Sequence, residues 1–550
     1  MKLSYTPFII GLFIVYIIGW FIPVMDIDAA QYASMSRELL ERHDFLHFFD
    51  VGQPYLDKPP MLFWCSALSM KIFGINHFAY RLPSFLFAIL ALWSTYKLAL
   101  LFYEKRTAFF SALILASSQG FMLMNHDVRT DTILMGAVIF SIWQLAAWYK
   151  NNQFIHLMFA CIGIAIGMMT KGPIALLVPA FAFGTHFILQ RNFRVFFKWQ
   201  YIPALLIIVT LLIPMSIGLY EQFDQHPETV VNGEQYVSGL KFFFWTQSFG
   251  RITGASTWNN GATIFFLLQN MLWSFLPWII FFIIGIWSKS KHIIQQRFRI
   301  HPNEEAITWG GFLLTYLSLG LSKYQLPHYI FVAFPFAAII TATSLNSIIK
   351  NADTKRWIKR LYHTHIGLFA ILLLVLTILI IWPFNEIHSL MKVLVVIAVT
   401  GVIFFLIKSR QQVNSIMYVA LIFSIVVNFF LNASFYPALL KYQAGSNAGS
   451  WMKAHQIDPH RTFTFQYIMW RSLHFYAQGN VNAKDSVGAI QKGDYILTQK
   501  EKIHLLQEAG LHYEILHEGS DYPVSKISLP FLNPRTRDAV LNHFFLIKII

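Results

Sequence analysis

Residues 6–25 read TPFIIGLFIVYIIGWFIPVM and run directly into DIDAAQYASMSRELLER, residues 26–42. The first stretch has the length and apolarity of a bilayer-crossing helix, which needs roughly 20 such residues. The second has a helical pattern with Asp28, Tyr32, Arg37 and Glu38 within three turns. Charges Arg37, Glu38 and Arg42 on that pattern predict an amphipathic helix lying on the membrane surface. Only Lys2 precedes the apolar run, and no small-residue cleavage site stands before Asp26, so the run is expected to be an uncleaved anchor. An apolar span that opens immediately onto a polar helix predicts a membrane-embedded chain whose chemistry is gathered at one face.

The rest of the chain agrees. Of 550 residues, 56% are hydrophobic and 13% charged, with 53 phenylalanines. Charged residues usually make up about 25% of a soluble protein, and a soluble globule of this size has no place for so much apolar surface. An ordinary soluble enzyme and a disordered chain are both excluded. Apolar stretches recur at about 6–25, 81–103, 107–125, 131–149, 154–170, 172–190, 201–220, 262–287, 307–322, 328–348, 364–383, 389–407 and 415–433, about thirteen in all.

The net charge of +15 tests that topology. With the N-terminus in the cytoplasm, the short cytoplasmic segments carry 18 Lys and Arg against four acids, Glu104, Glu304, Glu305 and Asp353. The outer loops carry ten basic and fourteen acidic residues. This is a positive-inside pattern, so the surplus orients the chain and requires no nucleic-acid partner. An odd number of spans then puts residues 441–550 outside. There the composition changes, with β-like runs at 462–467, 494–498 and 513–517 separated by helical patterns such as 500–509. The expected organisation is a transmembrane domain, 1–440, with a functional first outer loop at 26–80, and a small extracytoplasmic α/β domain, 441–550. The fold class is a polytopic α-helical membrane protein with juxtamembrane helices on the outer face. Cys65 and Cys161, both in apolar surroundings, exclude a disulfide framework or thiolate metal cluster.

Outer segments hold most of the notable polar residues. Loop one contributes Asp26, Asp28, Tyr32, and then PYLDKPP with Tyr55, Asp57 and Lys58, where Pro59-Pro60 ends an extended segment and starts a helix. NHDVRTD contributes Asp131, TKGP contributes Lys171, the segment 221–261 contributes Arg251, and SKYQLPHYIF contributes Lys323, His328 and Tyr329. A lone Lys or Arg at a membrane edge is ordinarily an interfacial anchor, and Trp245, Trp258, Trp273 and Trp278 suit an aromatic belt. Asp26 and Asp28 form an Asp-x-Asp, which holds metal and nucleotide in soluble sugar transferases, but nucleotide sugars are not expected outside. Four cations (Lys58, Lys171, Arg251, Lys323) and two acids (Asp28, Asp131) at the outer ends of different spans can converge on one cavity. Clustered cations suit a phosphate, neighbouring acids suit proton transfer or hydroxyl recognition, and apolar walls suit a lipid tail.

At these residues the sequence resembles the lipid-linked sugar transferases of the GT-C membrane fold. It is most similar to the bacterial aminoarabinose transferase branch, which is related to the protein O-mannosyltransferases. Asp28-Ala-Ala-Gln-Tyr32-Ala-Ser-Met-Ser-Arg37-Glu38 resembles the family's Asp-Glu-x-x-Tyr-Ala-x-x-Ser-Arg-Glu, and Tyr55-Leu-Asp-Lys58-Pro59 its Tyr-x-Glu-Lys-Pro. Val-Arg-Thr-Asp131, Met-Thr170-Lys171-Gly172, Phe-Trp245 followed by Arg251, and Lys323-Tyr-Gln-Leu-Pro327-His-Tyr329 follow in family order through about residues 20–335. The resemblance implies a donor sugar on polyprenyl phosphate, such as undecaprenyl phosphate, with Lys58, Arg251 and Tyr329 at the donor phosphate and Asp28 and Asp131 near the transferred sugar. Asp26, Tyr32, Tyr55, Asp57, Lys171, Lys323 and His328 are the further candidates for the cavity. The implied reaction is inverting and uses no nucleotide and no required metal. Departures from the pattern are Ala29 for the second acid, Asp57 for Glu and Gln325 for the second Lys; a metal site built on the missing carboxylate is disfavoured.

The function expected is transfer of a sugar to a lipid A-type glycolipid, or to a protein or glycan hydroxyl, on the periplasmic face of a bacterial inner membrane. A transporter or flippase is the rival. Its marks would be charges at mid-bilayer and paired broken helices; here charges avoid span centres, and the glycine-rich Cys161–Gly167 suits helix packing.

Overall fold

The structure is a computed structural model that describes residues 4–550 apart from 232, 249, 251–252, 254–257, 351–354, 385–392, 394–395, 398–399, 402–414, 467 and 469. The apolar stretches form helices because a backbone in hydrocarbon must satisfy its polar groups within its own segment. Among the described residues, seven helices are long and apolar enough to cross a membrane: His77–Phe102, Thr130–Asn151, Phe154–Lys171, Tyr201–Asp224, Pro327–Lys350, Arg360–Ile381 and Ile416–Tyr442. Lys105–Ala116 and Gln119–His126 make an eighth if their 54° bend is taken as one broken span. The bend falls at Ser117 and Ser118, whose hydroxyls donate back to the carbonyls of Leu113 (2.6 Å) and Leu115 (2.9 Å), a bonding pattern that bends helices.

The count of thirteen is not reached among the described residues. Thr6–Gly19, Ile174–Leu189 and Ile307–Gly320 are apolar but short. The stretch 262–287 is divided between Phe266–Ser274 and Ile279–Gln295. The apolar run outlasts the helix in the first case, since the residues after Gly19 leave helical geometry ahead of Pro23. Most of the stretch 389–407 lies outside the described residues. Close packing explains the glycines near Cys161: a Cβ on Gly163 would lie 2.9 Å from the carbonyl oxygen of Ala137, and one on Gly167 would lie 2.7 Å from the Cβ of Ala175.

The polar stretch after the first helix folds as Asp28–Arg42, Met61–Phe73 and a short hairpin pairing Phe49–Asp50 with Gln53–Pro54. The charges of Asp28–Arg42, expected on a helix at the membrane surface, do not form an open polar face. Ala29, Ala30 and every residue from Tyr32 to Leu39 are buried, including Arg37 and Glu38 at 1% and 2% exposure. The cause is a second cover. The helix packs on Met61–Phe73 and also on Arg471–Tyr476 from the tail.

Beyond the last apolar helix the chain forms a five-stranded mixed sheet. Thr462–Phe465 pairs in parallel with Asn482–Lys484 and Tyr495–Gln499, and Asn542–Ile549 runs antiparallel to Tyr495–Gln499 and Tyr513–Asp521. Alternation places Leu497, Phe544 and Leu546 against the helices Ala444–Ala454 and Arg471–Tyr476, and Ile496, Phe545 and Ile547 against Leu506 on the opposite face. Three strands coincide with the β-like runs of the sequence; Asn482–Lys484 and Asn542–Ile549 were not anticipated.

Candidate functional site

Five separate chain segments end at one cavity of about 230 Å³, lined by Asp28, Gln31, Tyr32, Tyr55, Asp57, Lys58, Arg129, Thr130, Asp131, Trp258, Tyr324, Leu326, His328 and Tyr329. Local sequence explains each placement. Asp28 stands in the first turn of its helix and Asp131 in the first turn of Thr130–Asn151, where unpaired N–H groups favour a carboxylate. Lys171 ends Phe154–Lys171, where a cation is favoured. Tyr55 extends the hairpin by donating its amide to Phe48 O at 2.8 Å, and Pro60 then caps the helix Met61–Phe73, holding Asp57 and Lys58 in the turn between. His328 and Tyr329 sit on the 3-10 turn Pro327–Ala333.

The charges are arranged as pairs. Arg129 bridges Asp28 and Asp127, with 2.9 Å from its Nε to Asp127. Lys58 pairs with Asp57 at 2.5 Å. Lys171 Nζ meets Asp131 Oδ1 at 2.6 Å and lies 4.0 Å over the ring of Tyr329. The other Asp131 oxygen faces His328 Nε2 at 3.6 Å. Tyr32 and Tyr55 both meet the ring of Phe63 edge-on, and burial holds both phenols well above the ordinary range, so they act here as neutral hydroxyls.

A second, more apolar groove adjoins the cavity. It is lined by Ile174, Leu177 and Leu319 together with Lys58, Lys171, Gln247, Ser248, Ser318, Ser322 and Tyr329. Lys58 and Tyr329 belong to both spaces. A phosphate at that junction would meet a cation and a phenol, with a polar chamber on one side and an apolar channel on the other.

Of the sequence candidates, Asp28, Tyr32, Tyr55, Asp57, Lys58, Asp131, His328 and Tyr329 line the polar cavity, and Lys171 lines the groove. Arg251 lies outside the described residues. Two placements are corrected. Asp26 does not face the cavity, because the amide and hydroxyl of Ser472 donate to its carboxylate at 2.8 and 2.7 Å. Lys323 is exposed and lines neither space; its carbonyl accepts from the amide of Asn260 at 3.3 Å. Gln325 is buried and braces its own loop by donating to Gly320 and Ser322 carbonyls. Sequence reasoning missed Arg129, Gln31 and Tyr324 and assigned Trp258 to an aromatic belt. The pattern Asp127-x-Arg129-x-Asp131 was the available signal for Arg129. Among the described residues no group of three or more His, Cys, Asp or Glu side chains gathers as metal ligands.

The profile of a family described as dolichyl-phosphate-mannose-protein mannosyltransferase matches residues 57–217, which include Lys58, Arg129, Asp131 and Lys171. The undecaprenyl phosphate-α-4-amino-4-deoxy-L-arabinose arabinosyl transferase of Erwinia tasmaniensis is 25% identical over 406 residues, 70% of this chain and 67% of that one. The chain spans between 58% and 67% of the length of the first curated relatives it matches. Among solved structures, ArnT from Cupriavidus metallidurans bound to undecaprenyl phosphate superposes with a TM-score of 0.71 at 16% identity, covering 98% of each chain. The archaeal oligosaccharyltransferase AglB from Archaeoglobus fulgidus, in complex with an inhibitory peptide and a dolichol-phosphate, superposes at 0.50 and 12% identity over 91% of this chain and 70% of that one. Fold and cavity together define a polytopic membrane protein that shares the fold of these solved transferases. Within that class the resemblance to the aminoarabinose transferase branch, read first from the motifs, is borne out by these relatives.

Proposed function

We propose that this protein is an integral-membrane glycosyltransferase that moves a sugar from a polyprenyl-phosphate donor to an acceptor at the periplasmic face of a bacterial inner membrane, with its N-terminus in the cytoplasm and residues 441–550 outside. The observation that carries the reading is the sharing of Lys58 and Tyr329 between a polar cavity and an apolar groove. That arrangement matches a donor whose phosphate separates a sugar from an isoprenoid tail, and undecaprenyl phosphate is the lipid named for the relatives. The acceptor is a lipid A-type glycolipid or a hydroxyl of protein or glycan.

The chemistry is a single displacement at the anomeric carbon. An acceptor oxygen forms the new bond to that carbon from the face opposite the leaving group, the bond to the phosphate oxygen breaks, and polyprenyl phosphate departs with the electron pair. Lys58, joined by Arg251 as the family motif implies, offsets the charge that grows on the phosphate. Such preorganised contacts lower the barrier by about 3–4 kcal/mol each. Tyr329 donates its hydroxyl to the same phosphate. Asp28, oriented by Arg129, takes the proton of a hydroxyl acceptor, and Asp131 with His328 binds hydroxyls of the sugar. Incubation of the purified full-length protein with defined polyprenyl-phosphate sugars and envelope acceptors, followed by mass spectrometry of the products, tests the reading. A glycosylated product is expected; no product with any donor, together with unchanged envelope glycolipids and glycoproteins in cells lacking the protein, overturns it.

A further inference from the structure

The tail does more than cover loop one; it reaches the cavity through a relay. Arg471, the first residue of the tail helix Arg471–Tyr476, places Nη2 2.9 Å from Asp50 Oδ2. The same carboxylate oxygen accepts a hydrogen bond from Gln31 Nε2 at 2.7 Å. Gln31 lines the polar cavity beside Asp28, three residues earlier on the same helix and so on the same face. Asp50 is 8% exposed, and Arg471 is the cation paired with it. Two more contacts hold the helix Asp28–Arg42 to the tail: Ser472 holds Asp26 just before it, and Asn480 accepts a hydrogen bond from Arg37 within it.

We propose that Arg471 is a positioning residue for sugar transfer: through Asp50 and Gln31 it sets the rotation of the helix Asp28–Arg42 and thereby the place of the Asp28 carboxylate in the cavity. The proposal rests on the transferase reading above. A helix can pivot about its buried apolar face while keeping its burial, and hydrogen bonds of fixed length on its polar face remove that freedom. Arg471 lines neither the cavity nor the groove, so its effect on Asp28 is carried through the contacts of the helix.

The test compares Arg471→Ala, Arg471→Lys, Asp50→Asn and the double variant Arg471→Ala/Asp50→Asn in the full-length purified protein, using transfer kinetics and hydrogen exchange. Displacing a catalytic group by a fraction of an ångström to an ångström lowers kcat, and the expected loss for Arg471→Ala is about 10- to 100-fold per folded molecule. The KM for donor stays within about twofold, because the phosphate contacts are untouched. Arg471→Lys recovers most of the rate, and the double variant is no worse than the worse single one, since both cut one relay. Amides of residues 29–40 lose protection in Arg471→Ala while those of Thr130–Asn151 do not. A clamp with a structural role only would reduce the folded yield and leave kcat of the folded fraction intact. Unchanged exchange over 29–40, unchanged kcat, or additive defects in the double variant overturn the proposal. If Arg471→Ala does not fold, Asp50→Asn and Arg471→Lys carry the same comparison. A wild-type protein that transfers no sugar refutes the function proposed above, and the exchange measurement then decides the coupling alone.

Discussion

Asp26 and Ser472 are joined by two hydrogen bonds across 446 positions of sequence, the amide and the hydroxyl of Ser472 both donating to the Asp26 carboxylate. The contact ties the exit of the first apolar helix to the tail. Burial pushes the Asp26 carboxyl from its ordinary 3.8 up to about 6, against the opposing pull of the Ser472 hydrogen bonds. The folded protein therefore binds the proton more readily than the unfolded chain, and this group's contribution to stability grows as pH falls from about 6 towards 4 and is lost as pH rises through 6. The displacement corresponds to about 3 kcal/mol at most. We expect the wild-type protein in detergent to gain thermal stability between pH 7 and 5 relative to Asp26→Asn. Parallel melting curves of the two proteins across that range would refute the assignment.

Lys58 should be the most sensitive cation. It lines both cavity and groove, and its replacement by Ala removes charge from the junction where the leaving phosphate is expected. Loss of a preorganised contact of this kind lowers kcat by about 10²–10³-fold. Lys323, four residues before Pro327, is exposed and outside both spaces, so Lys323→Ala should stay within about twofold of wild type. Transfer kinetics of the two variants side by side check the pair, and equal losses would return Lys323 to the site.

The different placement of these two lysines shows what the sequence makes legible. Short motifs at span ends identified most of the cavity because each is local: a helix start at Asp28, a proline turn after Lys58, a helix start at Asp131. Apolar run length identified the membrane class but overstated individual helices, because apolarity continues past the point where proline or serine breaks the helix. Arg37 shows where local reading stops. Its charge implied an exposed face, yet it is 1% exposed, since Asn480 of the tail accepts from it and Glu41 pairs with it. Contacts such as Asp26 with Ser472 carry no periodicity and no motif, so the covering of the helix by the tail was invisible before the fold was known.

Lys171 and Asp131 form a pair whose removal should be seen in stability before activity is considered. Asp131 is 1% exposed, and Lys171 Nζ lies 2.6 Å from it. Lys171→Met leaves a buried carboxylate without its cation, which typically destabilises by about 3–5 kcal/mol. Asp131→Asn removes the charge that needs compensation, so the double variant Lys171→Met/Asp131→Asn should be more stable than Lys171→Met alone. Thermal unfolding of the three proteins in the same detergent checks this. A double variant less stable than Lys171→Met would show that the two residues do not compensate each other.

Asp28 reports on the acceptor. Its carboxylate faces the cavity, and Arg129, shared with Asp127, fixes its direction. Asp28→Asn keeps the size of the side chain and most of its hydrogen-bonding reach while removing the base. A hydroxyl acceptor must lose its proton as the new bond forms, and a positioned base contributes about 10²–10⁴-fold to such a step. A phosphate acceptor arrives ionised, so the same substitution then costs only the orienting contacts, about tenfold or less. Measuring Asp28→Asn against a hydroxyl acceptor and a phosphate acceptor with one polyprenyl-phosphate donor separates the two roles. We expect the larger loss with the hydroxyl acceptor; equal losses with both would make Asp28 an orienting group and place the proton elsewhere.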